Sequence, residues 1–315
     1  MDIFVTEKFI DYLSKNEGSS NYNNEYSISK SLIEKLLLSG LEIKTNMPSS
    51  YIINEFNRTG NKDFKNFREA FIHYLVKKGN YSFLSFQEDL KIENYQSYYF
   101  LNNSSLNESN YGVAAISEKK EIRSFFEKCT VNSISITDNY DLIKDATPPC
   151  SAMLINDAYL FSNDKNKLAN LVKLIEIYKD NSLCIPFHLT VLTKYTYQNN
   201  KYVSPTFMEK VVETLNCIKN LKFEILLSTK LPLDDRLILT NYTKGSIGHP
   251  FDDRPTLFNQ NFLGTSNNIL RDYKDYFDSL SKFNSFITDC PDKIGQIITK
   301  YNNGLFQNRL FQNVR

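Results

Sequence analysis

The chain has 315 residues, of which 41% are hydrophobic, so it can bury the core of one large or two ordinary domains, and a disordered chain is excluded. Its 37 basic side chains almost balance 36 acidic ones, which leaves no global field to recruit nucleic acid or an anionic membrane. Either partner would have to be held by a local patch.

Taken in order, residues 2–14 place Ile3, Phe4, Ile10 and Leu13 among charges and predict a short amphipathic helix. Residues 15–25 form a polar loop. Ser27 or Ser29 can cap a helix carrying Ile28, Leu32, Ile33, Leu36 and Leu37, with Gly40 as its stop and a strand at 41–45. Phe64, Phe67, Phe71, Tyr74 and Leu75 recur at helical spacing and read as core. Aromatic and β-branched residues concentrate at 81–86, 96–101 and 111–116, three strand candidates, with the linker-like NNSSLNESN at 102–110 before the last. A domain boundary is placed there, giving a mixed α+β N-terminal region, 1–110, and an α/β region, 111–315.

Beyond it, helices are expected at 121–129, 168–180 and 205–219, and strands at 132–137, 151–161, 185–193 and 223–227. This alternation predicts a mainly parallel sheet covered by helices. A strand beginning at Leu237 follows too soon for a helical crossover and should run antiparallel to its predecessor, with Gly245 and Gly248 ending it. Helices are expected at 275–286 and 293–301, before a basic tail containing LFQN twice, at 305–308 and 310–313.

The densest chemistry lies between 223 and 254. Asp-Asp-Arg occurs at 234–236 and again at 252–254. Paired carboxylates beside an arginine can hold Mg2+ or Mn2+ and steady a phosphate, so Asp234, Asp235, Asp252 and Asp253, with His249 as base, define a metal-dependent nuclease or phosphodiesterase reading. The structural alternative is that each arginine makes a salt bridge or caps a turn. His73 and His188 fall on a helix and a strand and are read as structural. P-loop, dinucleotide-binding, nucleophile-elbow and H-E-x-x-H motifs do not occur, nor does H-x-K-x-x-x-x-D, since Thr190 stands two places after His188.

The five cysteines, at 129, 150, 184, 217 and 290, are isolated and never in a C-x-x-C spacing, as expected of reduced intracellular thiols. The charged first residues are unlike a signal peptide, and no window approaches the roughly 18 apolar residues of a membrane span. A cytoplasmic location is the expectation.

The stretch LDDRLILTNYTKGSIGHPFD, residues 233–252, resembles the motif region of phospholipase D-like domains of the type found at the C-terminus of MIT-domain proteins. Leu233, Asp235, Arg236, Ile238, Asn241, Ile247, Gly248, Phe251 and Asp252 carry the likeness, and Asp234 stands where the family has histidine. The resemblance implies a phospholipase D-like α/β fold that has lost histidine chemistry and binds phosphorylated surfaces, either lipid headgroups or nucleic acid, as an accessory module of a bacterial-type system. Its ligand, nucleic acid above all, would be held without cofactor by Arg236, Asn241, Lys244, His249 and Arg254, aided by amides at the Gly245 and Gly248 turns. Basic residues of the tail could add phosphate contacts, and Tyr301, Phe306 and Phe311 stacking surfaces, but four charges are few, and a disordered or packed terminal helix is the reading preferred for the tail. A subunit that binds only other proteins is the third reading.

Overall fold

The computed structural model describes residues 2–15, 42–60, 65–78, 81–83, 97–100, 112, 114–116, 131–135, 140–161, 165–197, 201–233, 236–247, 257–262, 269–288 and 297–311. Strands β1 (Asp2–Val5), β2 (Glu42–Thr45), β3 (Tyr81–Phe83), β4 (Ser97–Phe100) and β5 (Ala114–Ile116) form one sheet in the order β3-β2-β1-β4-β5. All its neighbours are parallel. Helices α1 (Glu7–Lys15), α2 (Ser49–Thr59) and α3 (Phe67–Lys78) accompany it. The N-terminal region is therefore parallel α/β rather than mixed α+β, and the boundary expected at 110 falls inside the sheet, between β4 and β5.

Residues 2–14, expected as one helix, divide at Thr6. Ile3, Phe4 and Val5 favour an extended backbone, and Thr6 then caps α1, its hydroxyl accepting the Phe9 N–H at 3.2 Å. Helix α2, which had no reading in the sequence, buries only Ile52 fully and ends at Gly60, whose φ is 60°. The helices expected at 27–37 and 121–129 lie outside the described residues.

The second sheet has eight strands. Along the chain come β6 (Val131–Ser135), α4 (Tyr140–Ala146), β7 (Ala152–Asn156), α5 (Lys165–Tyr178), β8 (Phe187–Lys194), the short pair β9 (Thr196–Tyr197) and β10 (Lys201–Tyr202), and α6 (Pro205–Asn216). Then follow β11 (Leu221–Ser228), β12 (Leu237–Thr240), β13 (Thr243–Ile247), β14 (Leu257–Phe262), α7 (Ile269–Thr288), β15 (Ile297–Asn302) and a 3-10 turn at Arg309–Phe311. Strand order is β15-β11-β8-β7-β12-β13-β14-β6. Only β7–β8 and β8–β11 are parallel, so the mainly parallel sheet expected for this region is mixed. The reason is connection length: helical crossovers α5 and α6 allow parallel neighbours, whereas two residues between β12 and β13 permit only a hairpin.

Two further readings are corrected. Gly245 does not end a strand: it lies within β13 opposite Ile238, and the turn is at Asn241–Tyr242. Ile297 and Tyr301, expected on a helix, belong to edge strand β15, which pairs antiparallel with β11. Helical spacing and a β-branched run coincide there, and the unpaired side of β11 decides between them.

Side chains alternate across the central strands. Met153, Ile155, Leu189, Val191, Phe223 and Ile225 meet Leu171, Ile175, Met208, Val211 and Leu215 of α5 and α6. On the other face, Leu154, Leu192, Leu226 and Leu239 join Tyr276, Leu280, Phe283, Leu310 and Phe311 in a cluster that also holds Val5 of β1 and Phe9, Ile10 and Leu13 of α1. The tail is part of this core. Asn308 donates to the Met153 carbonyl and Thr190 Oγ1 at 3.1 and 3.0 Å, and the buried Arg309 guanidinium donates to the carbonyls of Ser151 and Pro186. Lys300 forms an ion pair with Glu224. Asn308 and Arg309 are committed to packing, so the described part of the tail, 297–311, is not a basic arm. Among the described residues no helix is long and apolar enough to cross a membrane.

Candidate anion-binding edge of the central sheet

Three apolar strands, β7, β8 and β11, run parallel and each gives way to polar residues at the same edge: Asn156-Asp157, Thr193-Lys194, and Ser228 followed by Lys230. Register aligns them, with Asn156 opposite Leu192 and Ser228 opposite Lys194. Ligands of open α/β sheets gather outside such carboxyl ends, where the chain leaves adjacent strands in opposite directions. Here β7, β8 and β11 all end at this edge on one side, while β12, the antiparallel neighbour of β7 on the other, begins at it.

Arg236 stands at that division. It immediately precedes β12, whose first residue, Leu237, pairs with Asn156 at the end of β7. Its Nε lies 3.5 Å from Asp157 Oδ1, and its guanidinium carbon 5.6 Å from the centre of the Tyr159 ring. Asp157 is held in turn, its Oδ1 accepting the Tyr159 N–H at 2.8 Å. Lys167, on the first turn of α5, donates to the Tyr159 carbonyl at 3.1 Å. Asn156 donates to the Leu233 carbonyl at 3.1 Å and anchors the approach to Arg236. Thr193 Oγ1 is buried and has no hydrogen-bond partner among the described residues.

The described charged side chains that the segments leaving these strands bring to this edge are Lys167, Lys194, Lys230 and Arg236, against Asp157 alone. An edge so composed can neutralise anionic oxygens, with Arg236 oriented by Asp157 and Tyr159. Among the described residues no three His, Cys, Asp or Glu side chains group together. Cys150 is buried, its thiol pushed far up by burial and then by Asp180, so it is no nucleophile. His188 sits at the other end of β8, opposite Ala152, packed on the Phe306 ring at 4.9 Å.

The residues named from the sequence do not all meet here. Asn241 lies beyond the far end of β12, about 16 Å of strand from Arg236 at 3.3 Å per residue. It is fully buried, and its Oδ1 accepts the N–H groups of Ser151 and Ala152, each at 2.8 Å. Its task is to tie the β12–β13 turn to the start of β7. Lys244 lies on β13 opposite Leu239, with Nζ 3.5 Å from Ser279 Oγ of α7. His249, Arg254, Asp234, Asp235, Asp252, Asp253 and Gly248 lie outside the described residues. Asp157, Tyr159, Thr193, Lys194 and Lys230 were missed by the sequence reading, though a signal existed: a polar pair or triplet closes each of three apolar runs.

Comparison with known proteins adds no relative: no family model matches the chain, and no curated protein matches it.

Proposed function

We propose that the chain is a non-catalytic module that binds a phosphate-bearing ligand, nucleic acid above all, at the carboxyl edge of β7, β8 and β11. This keeps the phospholipase D-like reading of the C-terminal half, its role as an accessory subunit in the cytoplasm, and Arg236 as a ligand contact. It replaces Asn241 with Lys194 and Lys230. The observation that supports it is the charge at this edge among the described residues, four cations to one carboxylate, on segments that converge from separate parts of the chain. In a chain of nearly balanced net charge, such a local patch is what a polyanion requires.

The test is fluorescence anisotropy with labelled single-stranded and duplex oligonucleotides across a salt series. Arg236→Ala should weaken binding about tenfold, as loss of a charge-assisted hydrogen bond does, and lower the salt slope by about one. The exposed Lys230→Ala should also lower the slope without affecting folding. Binding unchanged in both variants would sink the proposal. Cleavage of the labelled strand dependent on Mg2+ or Mn2+, with thermal stabilisation by either ion, would instead give the four aspartates and His249 a catalytic role.

A further inference from the structure

Beside the cationic edge, on the solvent side of α5 and α6, lies a cavity of about 350 Å3 lined by Leu168, Ala169, Val172, Phe207, Lys210 and Thr214. Its volume is that of a small-ligand pocket. Both helices begin on the side where β7 and β8 have ended, so Leu168 and Phe207, in their first turns, stand nearest the strand ends, and Val172, Lys210 and Thr214 carry the lining on along the helices. Side-chain contacts connect the two places. Arg236 lies over the Tyr159 ring, Lys167 of α5 donates to the Tyr159 carbonyl, and Leu168 is the next residue. Beneath the cavity, the buried Phe161 ring meets the Phe207 ring edge-on, with centroids 6.4 Å apart.

The lining is sorted by helical period. On α6, Phe207, Lys210 and Thr214 share one flank, while the carboxylates Glu209 and Glu213 fall on another. On α5, Leu168, Ala169 and Val172 share a flank, with Glu176 a turn beyond them at the end away from the strand edge. The slot thus has apolar and aromatic walls, a lysine at its rim and a cationic field at its mouth. A flat aromatic group carrying a phosphate satisfies all three.

We infer that this slot receives a nucleobase of the ligand whose phosphates lie on the Arg236 edge. The inference rests on the function proposed above and deepens it. Phosphate contacts position a nucleic acid, and stacking or insertion of an unpaired base requires a single strand. The preferred ligand is therefore single-stranded, with one base taken from the stack into the slot between α5 and α6.

The experiment compares full-length protein binding to two labelled single strands of equal length and charge, one with natural bases and one abasic. Ala169 is exposed at the slot, so Ala169→Tyr fills it without disturbing the core. The expected result is about tenfold tighter binding of the base-bearing strand, the scale of one stacked base. Ala169→Tyr should abolish that preference and leave abasic binding unchanged, and a 2-aminopurine in the strand should change its fluorescence only with the unfilled slot. Equal binding of the two strands overturns this inference while leaving the anion edge intact. A base preference that survives Ala169→Tyr also overturns it, since the base must then lie elsewhere. Binding of neither strand overturns the proposed function itself. Self-association lost in Ala169→Tyr, with no base preference, assigns the slot to a second copy of the chain.

Discussion

Single residues carry constraints that composition does not reveal. Gly112 has φ of 62°, and a Cβ there would stand 2.4 Å from the Cys150 carbonyl carbon and 2.6 Å from the Ser151 nitrogen. Both the backbone conformation and the close approach require glycine. Gly112→Ala is expected to lower stability by about 2 kcal/mol or more in urea unfolding, far beyond an ordinary surface substitution. His188 gives a pH signature. Burial first, then the Arg309 guanidinium, takes its pKa from 6.5 to about 3, with the Gln307 backbone hydrogen bond opposing. Above 6.5 the ring is neutral in both folded and unfolded chains, so it contributes no pH dependence. As pH falls from 6.5 toward about 3 the unfolded chain takes up the proton and the folded one does not, so stability falls by at most roughly 1.4 kcal/mol per pH unit. Urea midpoints between pH 7.5 and about 4.5 should decline less steeply in His188→Gln than in the parent; equal slopes would contradict the assignment.

At the scale of elements, Arg68 of α3 fastens three helices. Its guanidinium donates to Glu7 at 2.6 Å and to Asp11 of α1, and to the Tyr51 hydroxyl of α2 at 2.7 Å. The backbone N–H of the same residue donates to Ser14 at 2.9 Å. The carboxylates are about one third exposed, so water screens the ion pairs, and Arg68→Ala should cost about 1–3 kcal/mol rather than the full value of a buried pair. Circular dichroism during thermal unfolding checks this, with Arg68→Lys recovering only part of the loss because the fork geometry is gone. Elements also show what could be read beforehand. Helices α3, α5, α6 and α7 announced themselves because each has apolar positions recurring at helical spacing. β15 and the division of 2–14 were misread because a short apolar run satisfies both periods, and only a partner strand decides. Helix α2 escaped because just one of its residues is fully buried, leaving little pattern. The edge site was half legible: Arg236 stood out by its charge cluster, whereas Lys194 and Lys230 became a site only when β8 and β11 aligned.

For the whole molecule, one apolar cluster contains residues of both sheets, so the halves share a core. Leu13→Ala, from the N-terminal half, and Leu226→Ala, from the eight-stranded sheet, should each lower the same calorimetric transition, by about 2–5 kcal/mol. Two separate transitions, each moved by only one substitution, would contradict a shared core. Patterning along the chain was enough to determine the α/β class, the apolar faces of the longer helices and the direction of β12, since periodicity and connection length are local properties. The strand beginning at Leu237 does run opposite to β11, but it pairs with β7, two places away in the sheet. That choice, like the joining of β5 to the first sheet and of four cations at one edge, belonged to the tertiary structure. Pairing compares surfaces distant in sequence, and their fit arises only when crossover helices have brought the strands side by side.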